Sequence, residues 1–262
     1  MFDIEELDEK TKSKLVRHKQ LSVEWFKQRK RRITGSKLSQ FLFMNSVFDM
    51  RRLHEEIFED RPRAEFDELS KRRCAFGRDH EIHATCCYLR QYPSKLFLEV
   101  TFQVHPRYPK WIGATSDGLL SDTEDGTIKL LEIKCPYGDF EGQNAKAFKT
   151  FPEYYVPQII MQQMCYCVDT THFVIWTRAA FKVYEVRFDP VYAESLMLFL
   201  KEFYDGGDMI NNDAYCLAAV AALKLQTRAF KSRNVTTLSP RGGFKNSKSF
   251  IDELKHEFGP HA

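Results

Sequence analysis

The tightest constraint on this 262-residue chain is a pair of short apolar runs around Asp125-Gly126. Gly113–Leu120 and Thr127–Cys135 have the length and content of strands, and an Asp-Gly turn between them signals a hairpin. Glu132-Ile133-Lys134 lies in the second strand, so its carboxylate and ammonium, two residues apart, share one face. Asp117 stands in the first strand, and an even-numbered loop pairs it with Glu132 or with Lys134. Either register gathers all three on the same face, whereas an odd loop or a bulge separates them.

Two carboxylates and one lysine on a sheet face are costly unless something compensates them. A hard divalent cation is the natural compensation, since Mg2+ takes one or two carboxylates plus water and phosphate oxygens. Such an ion polarises a phosphodiester and generates hydroxide from bound water. Lys134 would hold the attacking water and support its deprotonation. An isolated Glu-x-Lys is ordinarily a surface salt bridge, so the surrounding chain decides.

Residues 70–91 read as a helix with Ala75, Ile82 and Leu89 apolar and Pro93 closing it, and Lys95–Val104 as a strand. After the hairpin comes a helix over 153–168, with Pro157 in its first turn, then a second hairpin from His172–Arg178 and Phe181–Phe188. Asp189-Pro190 caps a helix that ends near Gly206-Gly207, and a further apolar helix covers 213–225. This order predicts an α/β fold: a central mixed sheet of about five strands flanked by helices. With no repeat and no linker, residues 1–225 read as one domain, followed by a polar, somewhat basic tail over 226–262.

Twenty-two Phe and 11 Tyr argue against a disordered chain. The longest apolar stretch, Ala214–Leu223, falls short of the roughly 18 residues a membrane span needs, so no membrane partner is expected. The acidic start, MFDIEELDEK, lacks the features of a secretory signal. Seven cysteines without a Cys-x-x-Cys pair point to reduced thiols, and Cys165-x-Cys167 reads as core packing. These features predict a soluble intracellular protein of the cytoplasm or, for a eukaryotic virus, the host nucleus.

The net charge of +3, from 39 basic and 36 acidic side chains, disfavours a simple polyanion binder but leaves room for a basic groove. From Lys10 to Lys37 the only acid is Glu24, and Lys27-Gln28-Arg29-Lys30-Arg31-Arg32 follows Trp25-Phe26. Such a run is commonly a solvated helix face.

Gly113-Ala114-Thr115-Ser116-Asp117-Gly118, followed by Leu131-Glu132-Ile133-Lys134-Cys135-Pro136, resembles the core of the PD-(D/E)xK nucleases. More narrowly it is similar to their lambda-exonuclease and YqaJ-type viral recombinase branch. Further segments match that branch in order: Trp25 and Arg29 with Ile33-Thr34-Gly35-Ser36, then Gly77-x3-Glu81, then Tyr155-Val156-Pro157-Gln158 continuing to Gln162 and Met164. The resemblance implies a restriction-endonuclease-like core in which Asp117 and Glu132 bind metal, the Ile133 carbonyl is a further ligand, and Glu81 reaches the metal or its water. Gln158 and Gln162, one helical turn apart, would position the nucleophilic water or a phosphate.

Arg29, Thr34, Gly35 and Ser36 would form a pocket for a terminal 5′-phosphate, through a bidentate guanidinium and N–H donors opening a helix at Ser36–Met44. Arg31 and Arg32, with Lys30, would line the duplex backbone in a salt-sensitive contact, and Trp25 would anchor the first helix. The implied activity needs one or two Mg2+ or Mn2+ ions. It is a 5′→3′ exonuclease on double-stranded DNA with 5′-phosphorylated ends, serving recombination or viral DNA processing. An annealing protein for the exposed single strand and a ring-shaped homotrimer are implied as partners. The alternatives are an endonuclease or RNase on the same fold, or an inactive nucleic-acid-binding module, against which the intact Asp117, Glu132 and Lys134 speak.

The chain departs from the pattern in places. Ser116 replaces the motif's proline, and the turn Ser121-Asp122-Thr123-Glu124-Asp125-Gly126 is longer and acidic, its three carboxylates expected in solvent. His80-x-x-His83 brackets Glu81 without completing a tetrahedral zinc set. The clustered C-terminal cysteines that hold an iron–sulfur cluster in related nucleases are missing.

Overall fold

The structure, a computed structural model, describes residues 22–59, 61–62, 65–137, 150–178 and 180–238. The first half of the basic segment, Lys10 to residue 21, and the tail from residue 239 lie outside the described residues.

The hairpin forms as its sequence dictates. Strands β5 (Gly118–Asp122) and β6 (Ile128–Lys134) pair antiparallel with Gly118 opposite Leu131. Asp117 stands just before β5, opposite Glu132, and its N–H donates to the Leu131 carbonyl at 3.1 Å. The turn closes at Gly126, whose φ of +70° is open to glycine. Asp122 departs from expectation. It is buried and paired with Lys95 of β2 (Lys95–Leu98), because the antiparallel β2–β5 register sets the two residues opposite one another. Glu124 and Asp125 do face solvent.

The strand expected over Lys95–Val104 is two pieces in two sheets. β2 edges the main sheet, while β3 (Gln103–Val104) pairs with β4 (Ile112–Ala114) in a small second sheet that also holds β1 (Ile33–Thr34). The run Gly113–Leu120 divides likewise, because Thr115-Ser116-Asp117 carries the chain from one sheet to the other. Tight packing explains the glycines on either side: a Cβ on Gly113 would lie 2.2 Å from the Phe102 ring, and one on Gly118 would lie 2.2 Å from the Phe97 ring.

β7 (Thr170–Trp176) lies parallel to β6, and β8 (Phe181–Arg187) returns antiparallel. The main sheet has six strands, ordered β2-β5-β6-β7-β8-β9. The added strand is β9 (Val235–Leu238), and it follows a helix that runs on to Asn234 rather than ending near 225. Val220, Leu223, Thr227 and Phe230 keep one face of that helix buried through its polar second half.

Alternation along β6 assigns the two faces. Leu131 and Ile133 pack with Val174, Trp176 and Val183 beneath Ala84, Cys87 and Tyr88 of α4 (Glu68–Gln91). Leu130 faces the larger core, built from α5 (Val156–Tyr166), α6 (Pro190–Asp205) and α8 (Asp213–Asn234) with α2 (Leu38–Phe41) and α3 (Val47–Phe58). α1 (Val23–Arg29) and the short α7 (Gly207–Asn211) complete the helices of the described residues. Because α5 crosses over from β6 to its parallel neighbour β7, it covers the face that carries Glu132 and Lys134.

Candidate active site

Glu132 is 1% exposed, and both its oxygens are engaged. Lys134 Nζ and Gln158 Nε2 donate to Oε1, the amide at 2.5 Å, and Gln162 Nε2 donates to Oε2 at 2.6 Å. The Gln162 amide also donates to the Thr115 carbonyl at 2.8 Å, so it ties the sheet-switching segment to the carboxylate. Gln162 is completely buried. Its one-turn spacing from Gln158 delivers two amides to one carboxylate.

Asp117 Oδ2 accepts the Ile133 N–H at 2.7 Å across the hairpin. Ser116, at the place of the motif's proline, is completely buried, and its Oγ donates to the Leu131 carbonyl at 2.7 Å. The hydroxyl thus fixes the backbone between the two carboxylates, a role the substitution alone did not disclose. Burial, then Glu132 and Glu81 beside it, push the Asp117 carboxyl well above the usual carboxylate range, against the pull of Lys134. Glu81 arrives from α4 on the opposite face, and burial followed by Glu132 raises its carboxyl too. Burial alone would lower the Lys134 ammonium, but Glu132 and Asp117 outweigh it and hold it firmly protonated. The Lys134 ammonium also sits 5.2 Å from the centre of the Tyr155 ring, a residue assigned no role by spacing although it stands in the glutamine motif.

The three carboxylates therefore share one neighbourhood. Among the described residues no three His, Cys, Asp or Glu side chains lie close enough to hold an ion by themselves. Asp117 and Glu132 supply two hard oxygen donors whose mutual repulsion a divalent cation would relieve, so the donor set fits Mg2+ or Mn2+. His80 Nδ1 bonds the Phe76 carbonyl at 2.9 Å, and among the described residues neither His80 nor His83 joins a group of three such side chains.

A second cluster lies on α1 and β1. Arg29 Nη2 donates to Ser36 Oγ at 3.0 Å and Thr34 Oγ1 at 3.3 Å, and its guanidinium stacks 4.1 Å from the centre of the buried Trp25 ring. Trp25 is thus both helix anchor and guanidinium platform. Gly35 packs against Gln158, so this cluster borders the carboxylate site. The helix expected over Ser36–Met44 is a 3-10 turn, Gly35–Lys37, followed by the four residues of α2. So few aligned peptides give little dipole, and the cluster consists of the side chains of Arg29, Thr34 and Ser36. Arg32 donates to the carbonyls of Pro109 at 2.8 Å and Gln28 at 2.6 Å, which ties the end of α1 to the segment before β4. Arg31 is exposed, with a φ of +56°.

Residues 24–172 match the family described as the YqaJ-like viral recombinase domain. An alkaline exonuclease from Laribacter hongkongensis, LHK-Exo, is similar in structure, with a TM-score of 0.55 and 21% identity over 79% of this chain and 99% of that one. Its complex with dAMP is similar with a TM-score of 0.50 and 20% identity, over 81% and 97% of the two chains. No curated protein matches the sequence. Among the described residues no helix is long and apolar enough to cross a membrane.

Proposed function

The chain belongs to the YqaJ-like viral recombinase domain family, and from that premise we propose that it is a metal-dependent deoxyribonuclease, a 5′→3′ exonuclease on double-stranded DNA. The observation that carries this reading is the gripped Glu132 carboxylate opposite Asp117, with a protonated Lys134 bonded to Glu132. A bound Mg2+ or Mn2+ would polarise the scissile phosphodiester and acidify a water. Asp117 and Glu132 would hold that ion, with the Ile133 carbonyl a further donor.

Lys134 offers an ammonium to a phosphoryl oxygen or to the oriented water, and Glu132 fixes its direction. Gln158 and Gln162 keep the Glu132 plane from turning. Glu81 orders water on the α4 side of the pair. Supporting the exonuclease reading, the similar alkaline exonuclease is described in complex with dAMP, a mononucleotide. Arg29, Ser36 and Thr34 would receive the terminal 5′-phosphate, because the guanidinium now bound to two hydroxyls presents a fork suited to an anion. The same reading gives the protein a place in recombination or viral DNA processing, a single-strand annealing partner and a homotrimeric ring; light scattering on the purified chain tests the ring.

The deciding experiment is a digestion time course on end-labelled linear duplexes carrying 5′-phosphate or 5′-hydroxyl, alongside a closed circle and an RNA duplex. Progressive shortening of the phosphorylated linear duplex is expected. Equal loss of both 5′ chemistries would remove the pocket assignment, and cutting of the circle or the RNA would favour the endonuclease or RNase alternative.

A further inference from the structure

We propose that Phe43 and Tyr154 form a stacking step that receives one unpaired base of the strand being cut, beside the nucleotide whose phosphate meets Lys134. The inference rests on the nuclease reading and adds a base subsite to it.

The step is a short row of aromatic rings leading outward from the lysine. Lys134 Nζ lies 5.2 Å from the Tyr155 ring, the Tyr155 and Tyr154 rings are 4.4 Å apart, and Tyr154 is 5.7 Å from Phe43. Phe43 ends the row 61% exposed, in the turn after α2, while its neighbours Phe41, Leu42 and Met44 are buried. Their burial holds the turn rigid and leaves the Phe43 ring in water at the rim of the site. Aromatic rings in such positions bind unpaired bases, because every base has a π-face and stacking needs no particular sequence.

The surroundings limit what can occupy the step. Phe43 lines an open groove of about 700 Å³ whose wall also carries the amide side chains of Gln40 and Asn45, suited to the polar edge of a base. The carboxylates of Asp49, Glu65 and Asp67, with Glu56 paired to Lys37, outnumber Arg52 among the described residues lining the groove. That balance repels a phosphate backbone. A neutral base fits where a continuing strand does not, so the step holds a base rather than a longer track of nucleotides. For a duplex substrate, this requires the terminal nucleotides to leave their stack as they reach Lys134.

The test is a kinetic cycle between protein and DNA. Wild type, Phe43→Ala and Phe43→Trp are assayed for kcat/KM on 5′-phosphorylated duplexes, intact or with one abasic site at each of the first three nucleotides. Phe43→Ala is expected to slow cleavage of the intact duplex roughly tenfold, the scale of one lost base–aromatic stack. At one of the three positions an abasic site should slow wild type by a similar factor, leave Phe43→Ala no slower, and slow Phe43→Trp as it does wild type. Because Phe43 is exposed, the melting temperature of Phe43→Ala should stay that of wild type. If Phe43→Ala cleaves like wild type, or responds to every abasic duplex as wild type does, the stacking step is overturned. No cleavage of the intact duplex by wild type in Mg2+ or Mn2+ would instead overturn the nuclease reading on which the step rests.

Discussion

At the scale of single residues, the site depends on donors that have no substitute nearby. Replacing Gln162 by Leu would strip the Thr115 carbonyl and Glu132 Oε2 of the amide they share inside a buried cluster. An unmet buried acceptor costs about 1–3 kcal/mol, so urea unfolding should show a loss of that size. Partners that orient a metal ligand are worth roughly 10–100-fold in affinity, so Mg2+ binding measured by calorimetry should weaken by about that factor. An unchanged binding constant would show that Gln162 serves the fold alone. Gly118 is constrained differently: a Cβ there lies 2.2 Å from Phe97, so Gly118→Ala should cost about 1–3 kcal/mol by overpacking and lower the melting temperature. Asp117, Glu132 and Lys134 were legible in the sequence because strand alternation and an even loop put them on one face. The work of Gln162, Ser116 and Tyr155 was not, since it depends on which strand the crossover helix covers and where the chain changes sheets.

Between elements, α4 is fastened to the sheet by a buried polar network as well as by its apolar face. Tyr88 of α4 hydrogen bonds His172 Nδ1 of β7 at 2.5 Å, and Lys129 Nζ of β6 donates to Glu185 of β8 at 3.1 Å. Burial, then Lys129, lowers the His172 imidazole to about 4, although Glu185 pulls the other way and Lys95 adds to the depression. The unfolded chain, with an ordinary value near 6.5, then binds more protons than the folded one, so stability falls as pH drops from about 6.5 to about 4. The loss should reach about 3 kcal/mol, at about 1.36 kcal/mol per decade of proton affinity. Denaturant unfolding against pH measures it as the difference between wild type and His172→Phe, because His105, lowered to about 4 by burial, acts in the same window; the same pH dependence in both proteins would refute the assignment. Nothing in the local pattern of 70–91 announced this network, whose partners lie 13 to 84 residues apart in sequence. Chain direction and element type were readable from periodicity and caps. The switch of sheets at Thr115-Ser116-Asp117 and the late strand β9 were not, because pairing partners are set by non-local packing.

For the molecule as a whole, the net charge of +3 conceals two opposed sites. The carboxylate cluster at the end of the β5–β6 hairpin stands near the Arg29 cluster, with Gln158 against Gly35 between them. Loss of Arg29 should therefore act on one class of end: Arg29→Ala is expected to cost roughly tenfold or more in kcat/KM on a 5′-phosphorylated duplex and little on a 5′-hydroxyl one. An equal loss on both would make Arg29 a support for Trp25 rather than a phosphate ligand. If Asp117 and Glu132 form a metal-dependent centre for phosphodiester hydrolysis, the release of acid-soluble nucleotide from a labelled duplex, across a Mg2+ and Mn2+ titration, must separate wild type from Asp117→Asn. Wild type is expected to release nucleotide only with the ion and to stop with a chelator, and a folded Asp117→Asn to release none. Release without a divalent cation, or undiminished release by Asp117→Asn, would contradict that role for the two carboxylates.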